Sequence, residues 1–182
     1  MRSGKKYTLY IILILIMLIH PVMGQDEDDQ TSRVDFSEGV VFEVVPHTGF
    51  MGSSGIIGLK LGMNYGTLAF EFAVEQVIGK TSNLYPITVN AILNLTTHGK
   101  LIPYGIVGPA LFITVPTNTV GDETITTAGL NFGGGLRYYF TSAFGLRLEA
   151  KQYLTTVENK RDNRNEILIF QEISIGASFL FK

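Results

Sequence analysis

The chain has no cysteine and no tryptophan. Without thiols it has no disulfide, no thiolate metal site, no cysteine nucleophile and no lipid-modified cysteine. Any fold must therefore rest on packing and hydrogen bonding. Histidine is scarce, with three in all, and His20 falls in an N-terminal apolar run. That leaves His47 and His98 for any imidazole chemistry, with no carboxylate at sequence spacing suited to a metal. No segment combines helical periodicity with capping residues, which argues against alternating strands and helices. Long apolar runs are absent too, apart from Leu9 to Ile19, which is short for a spanning helix. All 16 acids but only 11 of the 14 bases lie after residue 24, so that portion carries a formal charge of −5. Such a balance gives no support to nucleic-acid binding.

What is present begins with an export signal. Arg2, Lys5 and Lys6 precede the apolar run, Pro21 ends it, and Val22-Met23-Gly24 offers tolerated residues for cleavage. Residues 1–24 are read as a cleaved signal peptide, the alternative being an uncleaved anchor. Residues 25–37, opening Gln25-Asp26-Glu27-Asp28-Asp29, read as a flexible acidic lead-in. The remainder, residues 38–182, is one domain.

That domain resolves into eight strand-like runs: 40–50, 55–65, 67–78, 85–97, 101–115, 123–140, 143–157 and 165–181. Turn signals separate them. The connectors alternate between tight (65–67, 97–100, 141–142) and longer and polar (79–84, 116–122, 158–164), with a short one at 52–54. Several runs exceed the usual soluble strand and reach the roughly 9–11 tilted residues that cross a bilayer.

Most of the runs alternate, the fifth being ambiguous. In the third, Leu68, Phe70, Phe72 and Val74 share one face and Ala69, Glu71, Ala73 and Glu75 the other. In the seventh, Phe144, Leu146, Leu148 and Ala150 oppose Arg147, Glu149 and Lys151. A soluble barrel turns its apolar face inward; a membrane barrel inverts the arrangement. Two features favour inversion. The polar face is crowded with Gly58, Gly62, Ala69, Ala73, Gly133 and Gly135, as a narrow lumen requires. Its charges also balance: Glu43, Glu71, Glu75, Glu149 and Glu172 against Lys60, Arg137, Arg147 and Lys151. These nine form the expected lumenal charge network, since an unpaired buried charge is costly. Tyr65, Tyr85, Tyr138, Phe140, Tyr153, Phe179 and Phe181, near strand ends, suit the lipid–water boundary. In the fifth run, Pro103 and Pro109 suggest bulges or a locally broken edge, and Tyr104, Ile106 and Phe112 are expected to face lipid.

The ending Ser174-x-Gly176-x-x-Phe179-x-Phe181 resembles the C-terminal signature of Gram-negative outer-membrane β-barrels, here followed by Lys182. Residues 131–150 are similar to the penultimate hairpin of the small eight-stranded members of that superfamily, and Leu101 to Gly108 to their fifth strand. The resemblance implies an all-β, eight-stranded antiparallel up-and-down transmembrane barrel. It also implies residence in the bacterial outer membrane, with the signature residues read by the barrel-assembly machinery. The expected partners are outer-membrane lipid and lipopolysaccharide, with Lys160, Arg161 and Arg164 as candidate phosphate contacts, the preferred alternative for these three being an ordinary solvated hairpin tip whose charge Glu158, Asp162 and Glu166 partly cancel. The expected state is a monomer with no cofactor, no metal and no catalytic residue.

Some relatives of this kind modify lipid A with a His and Ser at the outer rim. Here His98 lies in a tight turn on the opposite side, and His47 is followed by Thr48. The preferred reading is a non-enzymatic barrel with a plugged polar lumen and a structural or interaction role. The alternatives are a narrow hydrophobic-solute conduit, a soluble periplasmic barrel for an apolar ligand, and a rim-located lipid-A-modifying enzyme.

Overall fold

A computed structural model of the chain describes residues 34–79, 82–116, 124–159 and 164–182. Among these, the chain is strand and turn. The proposed signal, most of the acidic lead-in, Lys160 and Arg161 lie outside the described residues. Ten strands occur in chain order: β1 (Val34–Asp35), β2 (Val40–Met51), β3 (Ser54–Tyr65), β4 (Leu68–Ile78), β5 (Ser82–Asn94), β6 (His98–Gly99), β7 (Leu101–Pro116), β8 (Ile125–Tyr139), β9 (Phe144–Asn159) and β10 (Arg164–Phe181). Eight of them close into an antiparallel barrel in the order β10-β2-β3-β4-β5-β7-β8-β9. The last strand meets the first in register, Val44 against Phe179 and Thr48 against Ile175. Closure leaves no unpaired edge.

The alternation read from sequence decides which wall faces which way. Phe70 is 58% exposed and Leu148 51%, whereas the charged rows between such residues are buried. An outward belt of this apolarity suits hydrocarbon rather than water. Strands of 11 to 18 residues are long enough to cross a bilayer. Tight turns at Gly52 and Gly66 place these residues at φ 60° and 58°, which glycine accepts without strain.

Aromatics gather outside the barrel at the end that holds the described N-terminal strand and the C-terminus. Tyr138, Phe140, Phe144 and Phe179 follow one another at ring separations of 5.2, 5.8 and 5.3 Å. Tyr153 does not join this belt. It is buried in the lumen, where its hydroxyl bonds a carboxylate.

Three further expectations are corrected. Tyr104, Ile106 and Phe112 point inward and are buried. Both rows of β7 are apolar, so alternation alone does not choose between them. The choice falls to space: Gly135 of β8 lies opposite Tyr104, and a Cβ there would sit 2.6 Å from the phenol Cζ. Of the two outcomes expected at Pro103 and Pro109, no bulge forms; Pro109 does interrupt a ladder, and Pro103 pairs in register with Leu136. The pairing skips two residue pairs beside Pro46 (β2–β10), beside Pro86 (β5–β4) and beside Pro109 (β7–β5), yet the register is the same on both sides of each skip. A missing N–H interrupts a ladder without inserting a residue.

Nor is the lead-in loose to its end. Val34 and Asp35 pair with Gly99 and His98 as a short ribbon. Phe36 then turns fully into the barrel mouth, packing against Val41, Ile102, Tyr139 and Leu180. Its N–H donates to Thr97 O at 2.8 Å and its carbonyl accepts from Gly66 N–H at 2.8 Å. An apolar, hydrogen-bonded anchor outweighs the polar composition around it. Asp35, outside the barrel wall, accepts from the Ser37 hydroxyl at 2.6 Å and the Ser37 N–H at 2.7 Å. These bonds hold its carboxyl below the usual range.

Candidate functional site

The interior is tiered. At the mouth closed by Phe36 lies the apolar cluster just described. At the opposite end lies another, formed by Met51, Ile56, Val77, Ala110, Phe112 and Tyr153, with Leu84 and Phe170 against it. Between them sit the charged side chains. Period-two alternation on β2, β3, β4, β8, β9 and β10 delivers all nine predicted network residues to this middle tier, each at most 4% exposed.

Their pairing follows the ring geometry. Strands β4 and β9 stand opposite each other, four strands apart in either direction. Arg147 Nη1 of β9 meets Glu71 Oε2 of β4 at 2.6 Å, and Lys151 Nζ meets Glu75 Oε1 at 3.0 Å. These two ion pairs span the full width of the lumen. Arg147 also holds Glu149 at 2.5 Å, and Lys60 takes the other Glu149 oxygen at 2.5 Å. Arg137 Nη2 pairs with Glu43 at 3.2 Å while its Nη1 donates to Asn94 Oδ1 at 2.6 Å. Lys151 reaches Glu172 at 3.1 Å.

Neutral groups complete the valences, as charges in low dielectric require. Tyr104 has two guanidinium groups against its ring, Arg137 at 4.5 Å and Arg147 at 4.7 Å from the ring centre. Its hydroxyl donates to Glu149 at 2.5 Å and accepts from Arg147 Nε at 2.7 Å. Tyr153 donates to Glu172 at 2.7 Å, and Ser178 to Glu43 at 2.6 Å. Asn90 of β5 donates to Glu71 at 3.2 Å and accepts from Asn131 at 2.8 Å. Every barrel strand contributes.

The other predicted residues fall elsewhere. Ser174 and Gly176 of the C-terminal signature face the lumen; Phe179 and Phe181 face outward. Arg164 opens β10 opposite Asn159. Sequence reasoning missed Tyr104 and Tyr153 as network members, and Asn90, Asn94 and Asn131 as their links. The recurrence of Asn90 and Asn94 on the small, polar face of the fourth run was the available signal. It also missed the surroundings of His47. Distant in sequence, Glu75 and Glu172 come to it through β4 and β10, and the three place donor atoms within 4.8 Å of one another.

Comparison with solved structures finds this architecture among outer-membrane proteins. The chain is similar to the N-terminal β-barrel domain of Pseudomonas aeruginosa OprF, with a TM-score of 0.64 and 18% identity over 78% of this chain and 97% of that one. It is similar to Neisserial surface protein A, with a TM-score of 0.58 and 17% identity over 78% and 96%. The outer membrane enzyme PagL aligns with a TM-score of 0.50 and 14% identity over 75% and 98%. At such identities these likenesses show the fold alone. No curated protein matches. The family model of the outer membrane protein beta-barrel domain, however, matches residues 25–181, and the chain belongs to that family of the bacterial outer membrane.

Proposed function

We propose that this barrel is a non-enzymatic structural and interaction protein of the cell envelope, anchored by its lipid-facing wall and closed to solutes by its own side chains. The observation that carries the reading is the pair of ion pairs across the full lumen width, Arg147–Glu71 and Lys151–Glu75. An eight-stranded barrel has room for side chains and little else. Here that room holds hydrogen-bonded charges, with Phe36 in one mouth. Passage of a solute would require breaking buried pairs, each break costing about 3–5 kcal/mol.

In this reading residues 1–24 direct export and are removed. The assembly machinery reads the C-terminal strand, and the monomer's partners are outer-membrane lipid and lipopolysaccharide, the latter met by Lys160, Arg161 and Arg164. Against a rim-located lipid hydrolase stands the position of His47, buried beside glutamates inside the wall. The apolar tier of Met51, Ile56, Val77 and Phe112 favours, as a second reading, a narrow entry for apolar solutes. Planar-bilayer recording tests the first: the expected result is no stable open state. A large, lasting conductance would sink the plugged-lumen reading.

A further inference from the structure

We propose that His47, Glu75 and Glu172 form a site for a divalent cation of the zinc class inside the barrel wall. Three strands, β2, β4 and β10, each supply one donor, and the donors lie within 4.8 Å of one another. His47 Nε2 is already 3.3 Å from Glu75 Oε1. That is close to the donor separation of a tetrahedral ion with bonds of about 2.0–2.2 Å.

The trio is more than a cluster of acids. The His47 side chain is 1% exposed; its Nδ1 has no hydrogen-bond partner among the described residues, while Nε2 meets Glu75 Oε1 at 3.3 Å and Glu172 Oε1 has Lys60 Nζ at 4.0 Å, both outside hydrogen-bond geometry. Buried polar atoms ordinarily have partners. The wall is also shaped around this imidazole. Its cross-strand neighbours on both sides are glycines, Gly58 of β3 and Gly176 of β10. A Cβ on Gly58 would sit 2.5 Å from His47 Cε1 and 2.9 Å from Glu75 Cγ; one on Gly176, 2.9 Å from His47 Cβ.

Charge points the same way. The lumen holds Glu43, Glu71, Glu75, Glu149 and Glu172 against Lys60, Arg137, Arg147 and Lys151, one acid in excess before His47 is counted, so the surroundings do not repel a cation. A nitrogen with two carboxylate oxygens suits zinc-class ions better than calcium or magnesium, which prefer oxygen alone. Of the two lysine ammoniums beside the site, Lys60 and Lys151, Lys151 is the nearer competitor. Lys151 Nζ touches Glu75 at 3.0 Å and Glu172 at 3.1 Å, with Glu149 Oε1 at 3.4 Å as an alternative acceptor. Metal entry moves Lys151 onto Glu149.

The test uses Co²⁺ as an absorbing stand-in for Zn²⁺, added to the urea-unfolded full barrel before refolding into detergent, so that access through the lumen is not limiting. Visible ligand-field absorption is then titrated and competed with Zn²⁺. The expected result is one equivalent bound, displaced by Zn²⁺, and lost in His47→Ala and Glu172→Gln. Lys151→Met should bind at least tenfold tighter, because the competing ammonium is gone. Heat-modifiable gel mobility establishes that each variant has folded; if His47→Ala does not fold, Glu172→Gln serves as the donor deletion. No band in the native barrel overturns the site, as does a band that the folded donor deletions leave unchanged.

Discussion

At the scale of single residues, the barrel is held by charges whose value depends on their partners. Arg147 contacts Glu71, Glu149 and Tyr104. Arg147→Ala takes from buried Glu71 the cation that faces it, while Glu149 keeps Lys60, so urea unfolding in lipid should show a loss of about 3–5 kcal/mol. Leu148→Ala, next door on the lipid face, should cost far less, because lipid closes over the gap. The placement of these charges was legible in the sequence: a strand's period of two assigns a face without knowledge of the neighbours. Their pairing was not, since it depends on which strands stand opposite. The same limit explains Tyr104 and Tyr153. A phenol near a strand end satisfies a bilayer boundary and a buried carboxylate equally well, and only the ring decides which it meets.

Among elements, the ribbon of β1 with β6 was the hardest to foresee. Two residues cannot carry a periodic pattern, and the acidic stretch before them reads as disorder. Phe36 is the one apolar signal, and its burial depends on a mouth built by Val41, Ile102, Tyr139 and Leu180. Its ring meets Tyr139 edge-on at 6.3 Å, with the Arg137 guanidinium 5.9 Å from its centre. Phe36→Ala should lower stability by about 3–5 kcal/mol, as a large cavity does. The urea midpoint should fall with an unchanged denaturant slope; a changed slope would mean that the whole mouth has opened. The fifth run was legible as a strand and not as a face. Pro109 was legible as an interruption, and the constant register around it shows that losing one donor need not shift a ladder.

For the molecule as a whole, apolar-out and polar-in is one decision repeated on every barrel strand but β7, where both rows are apolar, and that repetition is why the architecture was readable from the strands taken together. Its completion is another matter. Val44 lies against Phe179, so the seam joins the two ends of the folded sequence. No contact in that seam forms until nearly all of the chain is in place. The closing contacts therefore have high contact order, and the entropy of drawing the ends together is spent before they repay it. Folding should accordingly be slow and late-committed. Deleting β10 should leave no seven-stranded remnant: the truncated chain should lose heat-modifiable mobility altogether, whereas retained mobility would mean that the remaining strands close by themselves. The seam makes the barrel indivisible, with no stable half from which the rest could be grown.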